Sequence, residues 1–254
     1  MDNEKPTMAV YKFTGCAGCQ MELLRLEDEL LDIVEKVNIT YFMMAQTSED
    51  LGPYDVCFVE GSVSTPRELE ELKILRRSSR VLVAFGDCAI TGCIPSIRNY
   101  MPQREVEECV YEDPSPISSF RLKGLQEYVP VDVVLPGCPP KKDLIFETIT
   151  SALQGIMPDL RRHPVCVECK LRENVCLLTS LDKPCMGPVT RAGCGAICPT
   201  YGRVCEGCYG PMSDPNPEEL ARVFRECGLS GADVIRKFRK YAGDTPEFRE
   251  EAKI

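Results

Sequence analysis

Val81-Leu82-Val83-Ala84-Phe85-Gly86-Asp87-Cys88 is an apolar run of strand length that stops at a glycine and delivers a cysteine. The same ending recurs twice. Phe13-Thr14-Gly15-Cys16-Ala17-Gly18-Cys19 follows the apolar run 9–13, and Val134-Leu135-Pro136-Gly137-Cys138-Pro139-Pro140 closes the run 131–135. In an open parallel sheet, ligands collect outside the carboxyl ends of the strands. A glycine ahead of each cysteine lets the backbone turn sharply there. Three distant turns are therefore expected to bring Cys16, Cys19, Cys88 and Cys138 to one sheet edge. Helix N-termini beside that edge would favour anionic thiolates.

Two further β-rich runs, 39–44 and 55–59, lie between these turns. Helical patterns separate the strands. Leu23, Leu30, Val34 and Val37 mark the apolar face of a first helix. Thr65-Pro66-Arg67-Glu68 reads as a capping box with proline at the first helical position, followed by Leu69, Leu72 and Leu75. Leu144, Ile145, Ile149, Ala152 and Leu153 form another apolar face, stopped near Gly155. Alternation of this kind over residues 1–158 predicts an α/β fold, a flavodoxin-like doubly wound parallel sheet. The stretch 94–130 reads as one short helix and a long loop. Residues 159–212 hold eight cysteines among glycines and prolines with no sustained period. They read as an irregular domain that needs metal to fold. Residues 213–254 read as a short helical tail. Asn216 caps a helix carrying Leu220, Val223 and Phe224 and ended by Gly228, and Ser230 caps a second through Phe238.

Composition narrows the function. Acidic residues outnumber basic ones 39 to 30, for a net charge of −9, with no basic stripe, so nucleic acid is not an expected partner. The first residues carry no apolar signal segment, and no apolar run is long enough to span a bilayer. A soluble, cytoplasmic protein with no membrane partner is expected. In that compartment thiols stay reduced, so the sixteen cysteines point to metal rather than disulfides.

Twelve cysteines sort into three sets. The first is Cys16, Cys19, Cys88 and Cys138. The second is Cys166, Cys169, Cys176 and Cys185. The third is Cys194, Cys198, Cys205 and Cys208. Cys16-x-x-Cys19 alone also fits a thioredoxin-like dithiol, but Cys88 and Cys138 at the same edge favour a four-cysteine metal site. For the second and third sets, zinc ribbons are the alternative to iron–sulfur clusters. The uneven spacings and the Cys198-Pro199 pair favour clusters. His163, the only histidine, is the rival to a cysteine ligand in the second set, against a plain loop role. Glu60, at the end of a strand, reads either as an interface residue or as a loop carboxylate accepting backbone N–H groups. Neither a G-x-G-x-x-G nor a P-loop is present, so no flavin or nucleotide is expected on this chain.

Gly15-Cys16-Ala17-Gly18-Cys19, Glu60-Gly61-Ser62, Gly86-Asp87-Cys88-Ala89, Gly137-Cys138-Pro139-Pro140 and Cys185-Met186-Gly187-Pro188-Val189-Thr190 together resemble the small, electron-transferring subunit of nickel–iron hydrogenases. With Cys194, Cys205 and Cys208 the resemblance covers most of residues 8–210. It implies three 4Fe–4S clusters: proximal on the first set, medial on the third and distal on the second. Cys198 stands near the place where many relatives carry a proline, which implies a full medial cluster. Cys166 would replace the family's distal histidine. Cys93 resembles a supernumerary cysteine of oxygen-tolerant relatives and is read as a packed neighbour of the proximal site. Cys57, Cys109 and Cys227 read as ordinary apolar side chains.

Neither a twin-arginine leader nor a C-terminal anchor is expected, and the chain looks most like the delta subunit of soluble NAD(P)-linked hydrogenases, the sulfhydrogenases. That resemblance implies a heterotetramer with a nickel–iron large subunit, a flavin and NAD(P)-binding subunit and a further iron–sulfur subunit. This chain would relay electrons and perform no acid–base or nucleophilic step. The alternatives are a hydrogenase serving a deazaflavin or a heterodisulfide reductase, a zinc-stabilised scaffold, and the small quinone-reductase subunit of respiratory complexes.

Overall fold

The computed structural model describes residues 5–47 and 50–253. Five strands form one parallel sheet: β1 (Thr7–Lys12), β2 (Asn38–Phe42), β3 (Tyr54–Glu60), β4 (Ser79–Phe85) and β5 (Val133–Leu135), in the order β2-β1-β3-β4-β5. This is the doubly wound order of a flavodoxin-like sheet. The helices are α1 (Gly18–Leu24), α2 (Asp28–Lys36), α3 (Pro66–Ser78), α4 (Asp87–Thr91), α5 (Gln103–Val110), α6 (Lys142–Leu153), α7 (Val165–Leu171), α8 (Leu177–Leu181), α9 (Ile197–Thr200), α10 (Pro217–Glu226) and α11 (Gly231–Arg239).

The strands read as near-continuous apolar runs because both sheet faces are covered. Met8, Val10, Val56, Phe58, Val83 and Phe85 face α6 and the pair α1–α2, through Leu144, Ile145, Ile149, Leu23, Ile33 and Val37. The intervening residues Ala9, Tyr11, Cys57, Val59, Leu82 and Ala84 face α3 through Leu72 and Leu75, and meet Leu125 and Val129. The expected capping box is present. The Thr65 side chain accepts from the Glu68 N–H, and Glu68 accepts from the Thr65 N–H.

Two local expectations are corrected. The first helix is two helices, α1 and α2, broken where Glu27 takes a positive φ of 53°. That break rotates the buried face onto Leu23, Leu26, Ile33 and Val37 and leaves Val34 exposed. The stretch 94–130 holds more structure than one helix and a loop: a 3-10 helix at Ile94–Tyr100, α5, and a 3-10 turn at Leu125–Glu127.

Beyond residue 158 the chain buries a third apolar cluster. Val165, Met186, Val189 and Ala196 supply one side, with the thiols of Cys185 and Cys205. Leu220, Ala221 and Phe224 of α10, Val234 and Phe238 of α11, and Phe248 supply the other. Asn216 and Ser230 cap α10 and α11 as expected, accepting from the N–H of Glu219 and Asp233. No helix among the described residues is long and apolar enough to cross a membrane.

Thr65→Ala removes the acceptor of one reciprocal cap, at a cost of about 1 kcal/mol. Urea unfolding should show that loss, with the iron content unchanged.

Candidate metal centres

The three strand-end turns meet. Cys16 is exposed in the loop after β1, and its sulfur accepts from the Gly18 N–H at 3.4 Å. Cys19 lies buried at the start of α1, and Cys88 is buried at the start of α4. Cys138 follows β5. The charges weighing on the Cys19 thiol include Cys88 and Cys138, so the turns share one neighbourhood. Close backbone approach makes this possible. A Cβ on Gly86 would fall 2.2 Å from the Cys19 sulfur, and Gly86 takes a φ of 84°. Gly61, with φ 94°, passes so close to the β1 turn that a Cβ would meet the Thr14 carbonyl at 2.8 Å.

Glu60 is buried, and one carboxylate oxygen accepts the Cys19 N–H at 3.2 Å. Its other oxygen has no hydrogen-bond partner. Of its two readings, the backbone-binding one matches this geometry. Burial first, and then the Glu60 charge, push the Cys19 thiol well above the usual range. Cys93 is fully buried within hydrogen-bond reach of the sulfurs of Cys88 and Cys138. Its S–H holds the Cys138 thiol below the ordinary range, while its own thiol is raised by the same contacts.

The second set also converges. Cys166, Cys169, Cys176 and Cys185 line one cavity with Leu177, Gly187 and Pro199. A Cβ on Gly187 would sit 3.4 Å from the Cys166 sulfur and 3.5 Å from that of Cys185. The His163 ring faces the Pro164 carbonyl at 3.2 Å, and His163 is not among the residues lining that cavity. Cys194, Cys198, Cys205 and Cys208 line a second cavity of about 440 Å³ together with Cys138. Cys198 thus stands beside the rest of its set.

The sulfurs are already met by N–H donors. Cys185 accepts from the Cys205 N–H at 3.2 Å and from Gly187. Cys194 accepts from Ala196 and Ile197, and Cys205 from Gly207. Burial pushes the Cys166 thiol up to about 11 and the Cys208 thiol up to about 12. At Cys176 burial is outweighed by the hydroxyl and N–H of Thr179 and the N–H of Leu178, and the thiol falls below its usual range. Protein N–H donors of this kind favour bound, deprotonated sulfur and tune cluster potentials. Among the described residues, no group of three or more His, Cys, Asp or Glu side chains is gathered tightly enough for a single metal ion. A zinc ion holds its sulfurs about 2.3 Å from one centre. Four thiols that share a cavity are the ligand set of an iron–sulfur cluster.

The sets are contiguous with one another. Cys138 of the first set weighs on Cys208 of the third, and Cys205 of the third donates its N–H to Cys185 of the second. The spatial order is therefore first, third, second, unlike the order along the chain.

Sequence reasoning passed over three residues. The Glu168 carboxylate, on α7, accepts the N–H groups of Gly193, Gly195 and Ala196 at 3.0, 2.9 and 3.3 Å. It thereby ties the second set to the turn bearing Cys194. Its place between Cys166 and Cys169 was the available signal. Asp87 is buried and Arg191 is half-buried near it, and burial pushes the Asp87 carboxyl up to about 7 against the pull of Thr91, Arg191 and Cys93. Of the cysteines read as apolar filler, Cys57 is buried in β3. Cys109 is exposed on the solvent face of α5, and Cys227 is half-buried after the last turn of α10.

Residues 16–152 match the family described as NADH ubiquinone oxidoreductase, 20 Kd subunit. That span contains all of the first set and ends before the other two. The chain is 39% identical over 236 residues to the sulfhydrogenase 2 subunit delta of Pyrococcus furiosus, covering 92% of this chain and 98% of that one. It is 31% identical to a subunit of the vhu F420-non-reducing hydrogenase of Methanococcus voltae, over 92% of this chain and 93% of that one. In structure it matches a chain of an NAD+-reducing nickel–iron hydrogenase in its hydrogen-reduced state, with a TM-score of 0.57 and 30% identity, over 61% of this chain and 94% of that chain.

Gly86→Ala drives a methyl group into the Cys19 sulfur. Iron content should fall by about four atoms per chain, with the iron held by residues 166–208 retained. Loss of all iron would show that the first set is not an independent site.

Proposed function

This chain belongs to the NADH ubiquinone oxidoreductase 20 Kd subunit family and, within it, to the hydrogenase small subunits that include the sulfhydrogenase delta subunit, and from that premise we propose that it is the electron-transfer subunit of a cytoplasmic nickel–iron hydrogenase. It relays electrons between the nickel–iron site of a partner large subunit and a flavin- and NAD(P)-binding partner, in a heterotetramer with one further iron–sulfur subunit. The observation that carries this reading is the contiguous order of the three thiol sets, joined by Cys138 beside Cys208 and by Cys205 against Cys185.

Cys16, Cys19, Cys88 and Cys138 hold the proximal cluster, Cys194, Cys198, Cys205 and Cys208 the medial one, and Cys166, Cys169, Cys176 and Cys185 the distal one. Each 4Fe–4S cluster, when bound, supplies reversible one-electron storage. The chain's own residues fix the thiolates, exclude water from most of them and donate N–H groups to sulfur. Exposed Cys16 marks the face turned to the large subunit.

At the other end Cys176 is exposed, and near it stand exposed Leu171, Val175, Ile197 and Tyr201. Exposed Lys170, Arg172, Lys183 and Arg203 outnumber Glu173 and Asp182 in this region, on a chain of net charge −9. Such a surface suits a redox partner with an acidic, partly apolar docking face. The relatives that belong to F420-non-reducing hydrogenases favour a second reading, in which the same exit serves a heterodisulfide reductase.

Anaerobically purified protein should carry about twelve irons per chain, and zinc in place of iron would sink the relay. Cys198→Ala should turn the medial site into one showing an oxidised three-iron EPR signal, which the unaltered protein lacks. Leu171→Glu with Tyr201→Glu should lower hydrogen-dependent NAD(P) reduction by the complex about tenfold, a loss of about 1.4 kcal/mol, with the iron content unchanged. An unaltered rate would place the exit elsewhere.

A further inference from the structure

One charge pair, a buried carboxyl and a half-buried guanidinium, has no part in the relay. Asp87, the first residue of α4, is almost wholly buried. One carboxylate oxygen accepts from the Thr91 hydroxyl at 3.0 Å, and the other has no hydrogen-bond partner. Arg191 faces it electrostatically from the segment between the second and third sets, and its Nε is also buried without a partner. Both residues line one cavity of about 250 Å³, walled by Gln126 and Glu127 on one side and by Tyr209, Gly210 and Glu247 on the other. Gly210 keeps the space open: its φ is 67°, and a Cβ there would lie 3.0 Å from the unpartnered Asp87 oxygen. Buried polar atoms of this kind, facing a polar cavity, are ordinarily completed by water.

Asp87 also faces the thiols. It directly precedes Cys88, its N–H donates to the carbonyl of Gly137, beside Cys138, at 2.9 Å, and Gly210, two residues after Cys208, lies against its carboxyl group. The charges weighing on Cys185 of the distal set are instead its own partners, Cys169 and Cys176, and those on Cys166 are the other distal cysteines and Lys170. Asp87 is thus a carboxyl group shared by two of the three sets. A reduced cluster carries one more negative charge than an oxidised one. A nearby carboxylate in a water-poor interior disfavours the reduced form, and a guanidinium opposes it.

We propose that Asp87, balanced by Arg191 across this cavity, is a positioning residue that sets the reduction potentials of the proximal and medial clusters relative to the distal one. The inference rests on the three-cluster reading, and the pair touches no reacting atom.

The test is a redox titration of the assembled complex at pH 8, purified anaerobically and followed by EPR. Unaltered protein comes first: fewer than three cluster signals there overturns the relay reading itself, whatever the variants do. With three signals present, Asp87→Asn should ease reduction of the proximal and medial clusters about tenfold each, which is about 59 mV for a one-electron couple. The distal potential should not move. Arg191→Gln should shift the same two clusters the opposite way. A uniform shift of all three clusters, or no shift at full iron content, overturns the proposal. If Asp87→Asn fails to load iron, Arg191→Gln decides alone, and unchanged potentials in it overturn the proposal.

Discussion

The structure depends on a line of strand ends. Lys12 of β1 pairs in register with Glu60 of β3, Glu60 with Phe85 of β4, and Phe85 with Leu135 of β5. Four parallel strands therefore stop at one level, and the cysteine-bearing turns after β1, β4 and β5 leave from it together. Parallel pairing buries both faces of the sheet under helices, so this edge is where the strands can present chemistry. The remaining obstacle is crowding. Glycine at positions 61 and 86 removes the side chains that would strike Thr14 and the Cys19 sulfur.

The segment after residue 158 solves a different problem. Its helices are short, and it has few large apolar side chains of its own. The tail completes it, with Phe224, Phe238 and Phe248 packing against Val165, Met186 and Val189. Glu168 adds a polar brace by collecting three backbone N–H groups from the neighbouring turn. A carboxylate that accepts several N–H groups fixes those groups in direction, and with them the Cys194 sulfur. Thiols from separate turns are in this way held near one another by packing and hydrogen bonds of the protein itself.

The electrostatics follow from the same burial. Most of the thiols in the three sets sit where desolvation disfavours a bare thiolate. The N–H donors at Cys185, Cys194 and Cys205 act in the opposite sense. Asp87 and Arg191 add a fixed charge pair whose influence is local, because a buried charge acts strongly on near neighbours and weakly on distant ones.

The sequence by itself determined the strand runs, the capping box at Thr65, the caps at Asn216 and Ser230 and the doubly wound class, and it proposes the sorting of twelve cysteines into three sets. Each is a local signal: an apolar period, a cap, a glycine before a thiol. It did not reveal the break at Glu27, because Leu23, Leu30, Val34 and Val37 keep helical spacing across it, and only packing against the sheet selects Leu26 and Ile33 instead. Nor could spacing find Cys93 against Cys88 and Cys138, the Glu168 brace, or Asp87 opposite Arg191. Cys93 and Glu168 stand close to thiols in the chain, but the groups they meet, Cys138 and the turn at 193–196, lie far along it, as Arg191 does from Asp87. Spacing along the chain says nothing of the order of the sets, which only the family resemblance implied; the tertiary structure supplies the contacts behind it, because the chain folds back to bring Cys208 beside Cys138 and Cys205 against Cys185.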